Sequence, residues 1–166
     1  MEPIQQTFLA SRARDPRRSG TSRGGQTRAA LRRLVRAEHQ VIACFTAGME
    51  RIADVELRAD VGRMRADLER HVLELSEIMR LLGERPPGMR LDLRGRVLRR
   101  WTSLAARRGD GAVIHALRAR VRRLDRRYDR ALAWDLPLEA GANLLTNQLD
   151  LRRHRQQLRN AQPQGA

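Results

Sequence analysis

Four stretches of this chain place apolar residues three and four positions apart, and this spacing constrains the fold more than any other feature. Such spacing puts the apolar side chains on one face of an α-helix. The second stretch illustrates it with Leu57, Val61, Met64, Leu68 and Val72. The pattern predicts helices over about residues 28–53, 55–83, 111–134 and 138–160. Helices of this kind bury their apolar faces against one another, so the sequence predicts an all-α four-helix bundle.

The breaks between these helices predict the order in which they are connected. Gly83 is a typical residue after a helix end, and Pro86 and Pro87 prevent the second helix from continuing. The connection over 84–110 is long and carries a short amphipathic segment around Trp101. A long connection allows the second and third helices to run parallel. This predicts a ferritin-like bundle with a crossover that carries a short helix.

The N-terminal residues 1–27 are rich in Arg, Ser, Gly and Gln and have little apolar content. We therefore expect residues 1–27 to form a disordered basic tail. Thr27 is a candidate cap for the first helix. Residues 28–160 form the predicted bundle, and 161–166 are predicted to fray.

Several motifs resemble those of one protein family. They are "CFTAGME" followed by "DVEL", "LELSEIMRLLGERP", and "WTSLAARRGDGAVIHALRARVRRLDRRYDRALAWDLP", with His154 in "RRHRQQLRN" near the end. In order and spacing, they resemble a bacterial ferritin-like family called domain of unknown function 2383, over about residues 30–160. The resemblance implies the ferritin-like fold and little about activity.

The chain departs from the family pattern at two places. The family is acidic in the third helix, where this chain has His115, Ala116, Arg118, Val121 and Arg122. His71 stands where the family usually has an aromatic residue. We therefore expect no family property that depends on those acidic residues.

A pentad with Asp first and His last occurs twice, as "DLERH" at 67–71 and "DLRRH" at 150–154. Glu38, His71 and His154 are predicted to face inward from three helices, and two His with one carboxylate suit a single divalent metal ion. A ferritin-like di-iron site needs Glu three residues before each His, but Leu68 and Leu151 stand there. The interpretation that the sequence favours is that the histidines are core groups bonded to Glu38, Tyr128 or an Asp, and the metal site is its alternative. His39 and His115 are predicted to face outward.

The chain carries a net charge of +15, and all 34 of its basic residues are Arg. Residues 83–166 hold 19 Arg against eight acids, whereas 29–82 are neutral. This imbalance makes an anionic partner such as nucleic acid possible, with candidate anion-binding residues Arg118, Arg122, Arg123, Arg126 and Arg127. The interpretation that the sequence favours is a solvated basic surface, and an anion-binding module is its alternative. Aromatic residues make up only 3%, which argues against recognition of single strands.

Known catalytic motifs are absent from the sequence. It has no phosphate-binding glycine loop, nucleophile elbow or His-Glu-x-x-His motif, and Cys44 is its single cysteine. The sequence therefore favours a non-enzymatic accessory or stress-associated protein, with no catalytic residues and no cofactor expected beyond a single divalent metal. No apolar run is long enough for a transmembrane segment, so a cytoplasmic location is expected. A homodimer or another protein partner is possible, and Trp101 is a candidate interface residue.

Overall fold

Helices account for nearly all of the regular structure in the computed structural model, which describes residues 16–89, 93–134 and 136–161. The elements are α1 (Pro16–Met49), α2 (Val55–Leu81), α3 (Leu93–Ala105), a 3-10 turn (Ala106–Arg108), α4 (Asp110–Leu132) and α5 (Leu138–Asn160). The described residues contain no strand, so the predicted all-α class is confirmed. None of their helices combines the length and apolarity that crossing a membrane requires.

The four long helices pack as two antiparallel hairpins, α1 with α2 and α4 with α5. The hairpins meet through α1 against α4 and α2 against α5. Gly48 at the end of α1 lies against Val113 and Leu117 near the start of α4, so these two helices are antiparallel. Because α1 is antiparallel to both α2 and α4, the latter two run parallel, as the long connection predicted.

The short helix α3 lies in the connection between α2 and α4 and packs on α1 and α4. Helix α1 packs against α2, α3 and α4, so little of its surface is left to solvent, and His39 is buried. The prediction that His39 faces outward was wrong, because the sequence does not reveal how many helices pack around α1. His115 is exposed, as predicted, and Trp101 on α3 is 63% exposed.

Helix α1 begins at Pro16, twelve residues before its predicted start. Proline is accepted in the first turn of a helix, and Gly24 and Gly25 weaken a helix without forbidding it. Thr27 is a buried residue within α1 and not its cap. The predicted tail over residues 1–15 and the predicted fraying over 162–166 lie outside the described residues.

Side chains and one glycine fix the helix ends. Asp54 caps α2, because its carboxylate accepts a hydrogen bond from the Leu57 amide. At the other end, Gly83 has φ +73° and its amide donates to Arg80, while the Glu84 amide donates to Met79. This pair of bonds satisfies carbonyls that the end of a helix leaves open, and it needs a residue that tolerates positive φ.

Replacing Gly83 by Ala is expected to lower the free energy of unfolding by about 1 kcal/mol, because a Cβ is unfavourable at positive φ. Gly141→Ala is the matched control: this glycine lies in α5 with open space around its Cβ position. We expect Gly141→Ala to raise the free energy of unfolding by about 0.5–1 kcal/mol. Urea unfolding measures both, and equal effects of the two changes would contradict the assigned helix end.

Candidate functional site

A chain of polar side chains crosses the interior and takes one residue from each long helix. The Tyr128 hydroxyl on α4 donates a hydrogen bond of 2.7 Å to Glu38 Oε1 on α1. On α2, His71 Nδ1 lies 3.5 Å from the same oxygen, and its Nε2 lies 3.3 Å from Asp150 Oδ2 on α5. Tyr128, Glu38 and His71 are fully buried. These four residues are called the buried polar chain below.

Apolar side chains on the same helix faces bring these polar groups inward. Glu38 lies between Leu34 and Val41 on α1, and His71 lies between Leu68 and Leu75 on α2, and all four of these apolar residues are buried. Packing of the apolar stripe therefore carries the polar groups into the core. A buried carboxylate is unfavourable without partners, so Glu38 needs the Tyr128 hydroxyl and the His71 ring.

Arginines hold the end of the buried polar chain that reaches the surface. Asp150 Oδ2 accepts a 2.6 Å hydrogen bond from Arg70 Nη2, and Arg153 Nη2 lies 2.8 Å from Asp150 Oδ1. Burial raises the pKa of Asp150, but its bonds to Arg70 and His71 outweigh burial and leave the pKa below its usual value. Asp150 is therefore an anion that both arginines and His71 can share.

The repeated pentads pair with each other across the interface between α2 and α5. Asp67 in the first pentad lies 2.9 Å from His154 Nε2 in the second pentad. Asp150 in the second pentad lies 3.3 Å from His71 Nε2 in the first. Because the two helices are antiparallel, Asp and His four residues apart on each helix form two reciprocal Asp–His pairs. We call these two contacts the reciprocal Asp–His pairs.

The two histidines differ in their protonation equilibria. Burial lowers the pKa of His71, but the carboxylates of Glu38 and Asp150 outweigh burial and raise the pKa above its ordinary value. Burial lowers the pKa of His154 by more than its one carboxylate partner, Asp67, raises it. Burial and the nearby Glu38 charge raise the pKa of Tyr128 well above normal, so its hydroxyl remains a donor.

The predicted metal ligands are only partly brought together. Glu38 and His71 meet, whereas His154 pairs with Asp67. No group of three or more His, Cys, Asp or Glu side chains in the described part of the chain is arranged to hold a metal ion. A di-metal centre does not fit these residues, because Leu68 and Leu151 are buried where it needs carboxylates. The mononuclear site of Glu38, His71 and His154 remains a prediction.

The environment of Cys44 does not suit a nucleophile. Cys44 is fully buried, and burial raises the pKa of its thiol. A nucleophilic cysteine needs an accessible thiolate, which this environment disfavours.

A groove between α4 and α5 gathers most of the predicted anion-binding residues. The described residues that line it are His115, Arg118, Ala119, Arg122, Arg123, Arg126, Arg155 and Arg159. We call it the arginine groove. Of the five arginines predicted from the sequence, Arg127 is absent from this lining and borders a different groove, between α1 and α4. Arg155 and Arg159 were not predicted, although their spacing of four residues puts them on one face of α5.

Carboxylates near the arginine groove are already paired. Asp125 lies 3.4 Å from Arg155 and 3.6 Å from Arg152, and Asp129 lies 3.3 Å from Arg152. Gln148 donates to Asp125 as well. No carboxylate is among the described residues that line the groove, so its positive charge is only partly compensated.

The opposite pKa shifts of the histidines predict opposite pH trends. The raised pKa of His71 contributes to the free energy of unfolding below pH 6.5, and this contribution is lost as the pH rises through the shifted pKa. The destabilisation by His71→Gln should therefore be largest in acid. A lowered pKa removes stability as pH falls below 6.5, so the destabilisation by His154→Gln should be smallest in acid. Urea unfolding from about pH 5.5 to pH 9 measures both trends. Parallel trends would show that the assigned environments are wrong.

Comparison with known proteins gives no independent assignment of these features. No protein-family model, no curated protein and no solved structure matches the chain. What can be said of function therefore rests on the reciprocal Asp–His pairs and the buried polar chain inside the bundle, and on the arginine groove at its surface.

Proposed function

We propose that this protein is a non-enzymatic binding protein whose arginine groove holds the phosphate backbone of duplex nucleic acid. The observation that carries the proposal is the groove itself: six arginines and His115 line it, and no carboxylate is among its described lining residues. Guanidinium groups bind phosphate oxygens in a bidentate manner, so this lining has the chemistry of a phosphate-backbone site.

The spacing of the arginines suits an extended polyanion better than a single small anion. His115, Arg118, Arg122 and Arg126 recur every three or four residues on α4 and cover about 16 Å of the helix. Arg155 and Arg159 add a second row on α5. Duplex DNA carries a negative charge about every 1.7 Å along its axis, so it can face several of these arginines together.

Binding through this groove is expected to be independent of sequence. The described lining contains no aromatic residue on which an unpaired base could stack. It also lacks Asn and Gln, the side chains that typically read adenine. Backbone contacts position a protein on the duplex without reading its bases.

We further propose that the bundle is ferritin-like, of the kind seen in domain of unknown function 2383, with an accessory or stress-associated role. The parallel course of α2 and α4 across a long connection supports this proposal, as do the motifs that resemble the family. The Arg-rich α4, where the family is acidic, is consistent with a binding role that depends on positive charge.

A mononuclear divalent-metal site is the alternative. Glu38 Oε2 and His154 Nδ1 are buried without hydrogen-bond partners, and such atoms could serve as ligands. Elemental analysis after incubation with Fe, Mn or Zn tests this alternative. About one tightly bound ion per chain, lost in His154→Leu, would support it.

The binding proposal predicts that Arg122→Ala/Arg126→Ala weakens binding to a short duplex of arbitrary sequence by at least about tenfold at low salt. The slope of log K against log salt concentration is negative, and its magnitude should become smaller by roughly two. Each lost phosphate contact takes about 0.9 from that magnitude. Fluorescence anisotropy of labelled DNA, titrated at several salt concentrations, measures both quantities.

Arg99→Ala/Arg100→Ala is the matched control, because it removes the same charge from exposed positions on α3, outside the groove lining. This control is expected to change the affinity by less than about threefold, through the smaller net charge alone. If both double variants weakened binding equally, net charge and not the arginine groove would explain the binding.

A further inference from the structure

A second groove lies between α1 and α4 and combines an apolar floor with a basic rim. The described residues that line it are Ala30, Arg33, Leu34, Arg36, Gln40, Arg127, Arg130, Ala131 and Trp134. We call it the Trp134 groove. Its volume of about 420 Å³ is within the range of small-molecule sites. It shares no lining residue with the arginine groove, so it is a separate feature.

The floor of the Trp134 groove is apolar. Leu34 and Ala131 are buried beneath it, and Trp134 remains 38% exposed just after the end of α4. An indole ring is the side chain best suited to stack on another aromatic ring or on a cation. The apolar area is short, because arginines border it on both helices. It therefore fits a ring better than a long alkyl chain.

The rim supplies several positive charges to one bound molecule. Arg33 and Arg36 are exposed and lie three residues apart on α1, so they share a face, and exposed Arg130 approaches from α4. In the described part of the chain, these three arginines take part in none of the ion pairs, and no carboxylate lines the groove. Several unneutralised guanidinium groups favour a ligand with several negative charges, such as a polyphosphate.

We propose that the Trp134 groove binds a nucleoside phosphate. The base stacks on the Trp134 indole above Leu34 and Ala131, and the phosphates lie between Arg33, Arg36 and Arg130. A ring and a polyphosphate in one small molecule match both halves of the groove, whereas inorganic phosphate would use the rim alone. The inference does not rest on binding of nucleic acid at the arginine groove.

Intrinsic fluorescence gives a direct test, because the chain has only two tryptophans. Exposed Trp101 is replaced by Phe, so that Trp134 alone emits. Titration of the full-length Trp101→Phe protein with ATP is expected to quench the emission of Trp134 saturably. Adenosine has the ring without the phosphates, and inorganic triphosphate has the phosphates without the ring. Each is expected to bind at least about tenfold more weakly than ATP. Triphosphate binding as tight as that of ATP would overturn the role of the ring.

Substitutions then locate the site. Arg33→Ala/Arg36→Ala in the Trp101→Phe protein is expected to weaken ATP binding at least about tenfold. Isothermal titration calorimetry, which does not depend on the indole, should show a roughly tenfold loss for Trp134→Leu and partial recovery for Trp134→Phe. Arg122→Ala/Arg126→Ala should leave ATP binding unchanged. Loss of ATP binding in that variant, or tighter binding of oleate than of ATP, would overturn the proposal.

Discussion

A carboxylate buried at the centre of the bundle needs hydrogen-bond partners, and the neighbouring helices must be positioned to supply them. Glu38 is fully buried on α1, and its Oε1 is held by the Tyr128 hydroxyl from α4 and faces the His71 ring from α2. His71 in turn reaches Asp150 on α5, which Arg70 and Arg153 bind from outside. Each link comes from a different helix. Sliding one helix past another by a turn of about 5.4 Å would therefore leave a buried charge without a partner. We interpret the buried polar chain as a device that specifies helix register, at some cost in the stability that an apolar core would give.

The reciprocal Asp–His pairs extend the same logic to the interface between α2 and α5. With one Asp and one His four residues apart on each helix, the antiparallel arrangement matches every carboxylate to an imidazole. A parallel arrangement would place like groups together and leave both histidines without acceptors. The pairs are chemically unequal, because His71 faces two carboxylates and His154 faces one. This inequality, and not burial, explains why their pKa values shift in opposite directions, since both rings are almost fully buried.

The apolar spacing predicted all four long helices, and it predicted the bounds of α5 to the residue, because buried leucines and the flanking prolines mark that helix clearly. The start of α1 was missed, since Ser, Thr and Gly in this stretch have a low helix propensity that other interactions can override. The inward direction of His71 and His154 followed from their position among leucines. The sequence also named Glu38 and an Asp among their expected partners, and the structure has Glu38 and Asp150 at His71 and Asp67 at His154. Which Asp meets which histidine did not follow, because that depends on which helices are neighbours and at what height. Arg155 and Arg159 were missed for the same reason: their membership in the arginine groove appears only when α5 lies beside α4.

The polar groups in the core and the arginines at the surface differ in how far their charges are already paired. For a metal ion to enter the core with His71 and His154 as ligands, His71 would have to give up its contact with Glu38 or Asp150, and His154 would have to turn from Asp67. Each step gives up an existing charge-assisted contact in a medium where such contacts are strong. The two grooves present the opposite situation. No carboxylate is among the described residues that line either groove, so an arriving phosphate meets guanidinium groups whose positive charge is only partly compensated. This contrast is the reason for proposing anion binding at the surface, with the interior polar groups holding α4 in the register that shapes both grooves.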